Sequence, residues 1–62
     1  MNCKINIEMN NSAFEIPEIE MERILDELKM VLPRAINSNV KKFEHFILDL
    51  NGNEVGSMIL SK

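Results

Sequence analysis

The stretch from Ile16 to Leu32 most constrains the fold, because it alone carries apolar residues at helical spacing over a length sufficient to cover a sheet. Met21, Ile24, Leu25, Leu28, Val31 and Leu32 follow the i, i+3, i+4, i+7 rule and make one apolar stripe that needs a partner. Pro17 suits a first turn, where its missing N–H has no bond to lose, and Glu18, Glu20 and Glu22 place carboxylates near the positive end of the dipole. An interior proline costs about 3 kcal/mol, so the helix is expected to end near Pro33, although Ala35 and Ile36 keep the helical phase. Ile19 and Met30 point away from the stripe, as incidental exposed hydrophobes or as part of a contact with another chain.

Before the helix, residues 3 to 9 alternate, with Cys3, Ile5, Ile7 and Met9 against Lys4, Asn6 and Glu8, which predicts a half-buried strand. Cys3 falls on its buried face, where a thiol behaves as a small hydrophobe. Asn10, Asn11 and Ser12 break the strand, and Phe14 is the expected plug beneath the first helical turn. Arg34 to Lys42 reads as a surface connection back to the sheet. Residues 43 to 60 read as a hairpin, two apolar runs joined across Asn51-Gly52. Its register is open. A two-residue turn sets Leu48 opposite Val55, whereas a type I turn starting at Asp49 and closed by a left-handed Gly52 sets Phe46 opposite Gly56.

The order strand, helix, strand, strand predicts a single α+β domain over residues 1–62, a two-layer β-α-β-β unit with one helix packed on a three-stranded, mainly antiparallel sheet. In the hairpin Ile47 and Leu48 are adjacent, as are Met58, Ile59 and Leu60, so one of each set must face away from the helix. Ile47 and Met58 are the candidates for an outer face that a homodimer or a protein partner would cover.

A chain of 62 residues buries only about 60% of the surface its unfolded form exposes, so its stability is expected to be modest. With 45% apolar residues the chain is globular in composition, and no apolar run is long enough to span a membrane. The amino terminus lacks the pattern of a signal peptide and Cys3 has no cysteine to pair with, which together predict a cytoplasmic setting. Ten acidic against seven basic residues give a net charge of −3, which argues against direct nucleic-acid binding. Lys41 and Lys42 are too few to make a nucleic-acid patch.

No catalytic, cofactor-binding or metal-binding residue is predicted, and the expectation is a protein that is not an enzyme. His45 has no second ligand at metal spacing. Glu44, Asp49 and Glu54 have no second layer to form a pocket around them, and turn chemistry accounts for Asp49. Asn51-Gly52-Asn53 lacks the lysine and the strand-to-helix context of a phosphate loop. One feature points outward: Glu18, Glu22 and Asp26 line one helix flank, joined by Glu15, and repeat about every 6 Å, close to the spacing of phosphates along a strand. A solvated face is the ordinary meaning of such a stripe. Its functional meaning is an imitation of nucleic acid offered to a basic groove on a nucleic-acid-binding host protein.

Asn11-Ser12-Ala13-Phe14, then Arg23-Ile24-Leu25 followed by Leu28, then Asp49-Leu50-Asn51-Gly52-Asn53-Glu54-Val55-Gly56 resemble blocks in a group of small uncharacterised bacteriophage and prophage proteins. Those read N-A-A-F, R-I-L-x-x-L and D-x-N-G-N-x-V-G in the same order; here Ser12 replaces the usual alanine, and the linker with Pro33, Lys41 and Lys42 is longer. The resemblance implies a mobile-element accessory protein, a class that includes inhibitors of host defence or of host nucleic-acid enzymes. It carries no activity to transfer.

Overall fold

A computed structural model describes all residues, 1–62. The chain runs β1 (Asn2–Ile7), a 3-10 turn (Ser12–Phe14), α1 (Pro17–Asn37), β2 (Lys42–Leu48) and β3 (Glu54–Ser61). The sheet order is β1-β3-β2, with both neighbours antiparallel to the central β3. This is the two-layer α+β arrangement that the residue pattern predicts. The core is small: Phe14, Ile24, Leu28, Ala35, Ile47, Val55, Met58 and Leu60. Phe14 is buried, as expected of a plug, and Asn11 fixes the turn that delivers it by accepting the Ala13 N–H at 3.0 Å.

The helix does not stop near Pro33 but continues to Asn37. The bond that Pro33 cannot donate would have gone to the carbonyl of Lys29, and both residues lie on the exposed side, where water can serve that carbonyl. Packing then decides the outcome, because Ala35, one half-turn beyond the proline, is fully buried in the core. The end is also well capped. Ser38 donates its Oγ (2.8 Å) and its N–H (3.3 Å) to the carbonyl of Ala35, while Lys62 Nζ reaches the carbonyls of Ile36 (2.8 Å) and Ser38. An ammonium there also faces the negative end of the dipole.

The hairpin uses both registers considered above, one on each side of a bulge. Gly52 has φ +84° and donates to the carbonyl of Asp49 at 3.0 Å, the left-handed closure of a type I turn, and Asp49 N–H donates to Asn53 at 2.8 Å. Leu48 therefore pairs with Glu54. Val55 is then the extra residue of a bulge, and Ile47 pairs with Gly56 and Phe46 with Ser57. Phe46 thus does not oppose Gly56, nor Leu48 Val55. The bulge turns Val55 into the core, where a regular ladder would have left it outside.

Facing pairs share a side of the sheet, so the helix-side set is Cys3, Ile5 and Ile7 on β1, Gly56, Met58 and Leu60 on β3, and Phe43, His45 and Ile47 on β2. Ile47 and Met58 are fully buried under the helix, which corrects their expected place on the outer face. The residues that face outward are their neighbours Leu48 and Ile59, together with Phe46. Cys3 also departs from expectation. It lies on the helix side but is exposed, because β1 is an edge strand that the helix does not cover.

Candidate interaction surface

Helix periodicity divides α1 into flanks of different character. Toward β2, Glu20 is buried and accepts from Arg23 Nε and Nη2, both at 2.9 Å, and from the Leu50 N–H at 2.9 Å. Arg23 Nη2 also donates to the carbonyl of Leu48 at 2.8 Å. The i, i+3 pair therefore bolts the helix to the start of the hairpin turn, at Leu48 and Leu50. Its hydrogen bonds from Arg23, together with the Leu50 N–H and against the opposing effect of burial, hold the Glu20 carboxyl below the usual range, and Glu20 in turn raises Arg23. One turn further on, Glu27 Oε2 lies 3.1 Å from Nε2 of half-buried His45.

Asp49 anchors the turn itself. Burial would raise its carboxyl, but it is outweighed by the N–H groups of Asn53 (2.9 Å) and Asn51 (2.8 Å) and the side-chain amides of Asn11 (2.6 Å) and Asn53 (3.3 Å). The net direction is downward. Asn11 comes from the turn after β1, so one carboxylate ties that turn to the hairpin turn. Sequence spacing identifies Asp49 as a turn residue and misses this reach. It also treats Glu20 as one more dipole-facing acid, although the i, i+3 spacing to Arg23 was visible.

The other flank is uncommitted. Glu15, Glu18, Glu22 and Asp26 are all exposed and take part in no side-chain hydrogen bond or ion pair. Ile19 and Met30 share the outer side of the helix with Asp26 at i, i+7 and i+11, and are 62% and 63% exposed. Beside the helix start, Ile16, Ile19 and Leu50 border a shallow hollow with Glu15 at its rim. The outer surface of α1 is therefore a mixed acidic and apolar face. No helix is long and apolar enough to cross a membrane, and no three His, Cys, Asp or Glu side chains converge on a metal position. No protein-family model, curated protein or solved structure matches the chain.

Proposed function

We propose that this is a non-enzymatic interaction protein of the phage accessory type, which blocks a basic surface on a protein partner by presenting the outer face of α1. The observation that carries this reading is the segregation of charge. Glu20 is ion-paired with Arg23 and Glu27 meets His45 at 3.1 Å, while Glu18, Glu22 and Asp26 stand exposed with no counter-ion. Unpaired carboxylates at phosphate-like spacing, with Ile19 and Met30 as apolar anchors beside them, suit a groove that normally receives nucleic acid. A cytoplasmic host nucleic-acid enzyme is the partner class that fits.

The test is capture from host lysate by wild-type protein and by a Glu18→Lys, Glu22→Lys, Asp26→Lys variant, with heparin as a competing polyanion. The partner should be lost from the variant and released by heparin from the wild type. Equal recovery on both would remove the acidic face from the account. A second reading, an assembly component built from copies of this chain, is favoured by the bare edge of β1.

A further inference from the structure

The geometry points to β1 as a self-association edge, on which a second copy of this chain pairs antiparallel to form a continuous six-stranded sheet. The starting point is a surface excess. The chain exposes 4563 Å², where a self-contained monomer of its mass exposes about 4100 Å². Its radius of gyration, 12.2 Å, likewise exceeds the roughly 10.5 Å of a compact chain of this length.

β1 carries part of that open surface. Five of its six residues are exposed, and the helix-side residue Ile5 is 48% exposed. Glu27 and Arg23 reach β2, so the opposite helix flank, carrying Met21, Leu25 and Leu32, is the one turned toward the β1 side. Leu25 is half exposed there. Ile5 and Leu25 are thus apolar side chains left half exposed on the β1 side of the molecule.

The backbone is equally open. Glu8 N–H donates to the carbonyl of Val55 at 2.8 Å, which turns Glu8, and by alternation Asn6, Lys4 and Asn2, toward β3. The N–H and C=O groups of Cys3, Ile5 and Ile7 consequently face outward. No proline or bulge guards this edge. The outer edge of the sheet at β2 differs, since its helix-side residues Phe43, His45 and Ile47 are half or fully buried.

Charge selects both the occupant and the register. Outward-pointing backbone must meet outward-pointing backbone, so only every second antiparallel alignment is available. One of these sets Lys4 against its own copy and is repulsive. Another sets Lys4 opposite Glu8 of the second copy, twice by symmetry, with Ile5 opposite Ile7 on the helix side and Asn6 on the two-fold axis. The strand is thus complementary to itself. The pairing is carried by the backbone of β1 and by Lys4 and Glu8, whereas the functional reading rests on Glu18, Glu22 and Asp26, so charge reversals at the two places test the two separately.

Light scattering and sedimentation over a concentration series, in reductant so that exposed Cys3 cannot cross-link, should show the mass of two chains. Amide exchange should be slow at Cys3, Ile5 and Ile7. Lys4→Glu or Glu8→Lys alone should weaken the dimer about tenfold, and the two together should restore it. Ile5→Pro removes only an N–H that the single chain does not use, so it should give a monomer with unchanged circular dichroism. A wild-type chain that stays monomeric throughout, or a dimer indifferent to Ile5→Pro and to the charge reversals, would overturn the proposal.

Discussion

At the scale of single residues, the two glycines show how differently one residue type can be constrained. A Cβ on Gly56 would stand 1.9 Å from the carbonyl oxygen of Asn6, a backbone atom that cannot swing aside. β1 can approach β3 at the bulge only because that position is bare. At Gly52 a Cβ would meet nothing within 4 Å, and the constraint is the φ of +84° alone. Gly56→Ala should therefore cost about 3 kcal/mol, and Gly52→Ala about 1–2 kcal/mol. Asparagine separates the cases, since it tolerates the left-handed region: Gly52→Asn should recover most of the loss, whereas Gly56→Asn should be worse than alanine. Urea unfolding of the four variants measures this directly.

At the scale of elements, the contest at Pro33 is between local cost and tertiary gain. The helix passes through the proline because Ala35 is buried and because Ser38 and Lys62 occupy the last carbonyls. Pro33→Ala restores the donor for Lys29 at an exposed position. It should raise stability by roughly 1–3 kcal/mol, the lower end reflecting the freedom that proline removes from the unfolded chain. A thermal melt no higher than wild type would mean that Pro33 is not strained where it stands. The same contest explains what could be read in the chain beforehand. The 3.6-residue stripe of α1, the alternation of β1 and the Asn51-Gly52 turn are local patterns, and each element is found where its pattern lies, except that β1 runs from Asn2 to Ile7 and leaves Glu8 and Met9 of the expected 3 to 9 outside the strand. The end of α1, the inward turn of Ile47 and Met58 and the exposure of Cys3 depend on which neighbour covers which, information that no short window holds. The acidic flank was legible because exposure needs no partner. The Glu20–Arg23–Leu50 contact was not, because it joins residues 30 positions apart.

At the scale of the whole molecule, only ten of 62 residues are buried and two of those are carboxylates, Glu20 and Asp49. Both lie where helix, hairpin turn and the segment after β1 meet, so the ionisation of this one junction is coupled to folding. Arg23 with the Leu50 N–H, and the Asn51, Asn53 and Asn11 donors, lower the two carboxyls in the folded chain beneath their ordinary values of 4.5 and 3.8. The unfolded chain therefore binds protons more readily than the folded one in acid. Stability from this junction is complete above about pH 4.5 and is lost as pH falls through the lowered folded values. Unfolding midpoints in urea should accordingly be flat near neutrality and decline below that point. Glu20→Gln and Asp49→Asn should each be less stable than wild type at neutral pH, with the gap closing as acid removes the same charge. A gap that stays constant down to strong acid would show that the carboxylates act by shape alone, and that charge at this junction contributes nothing to holding the hairpin on the helix.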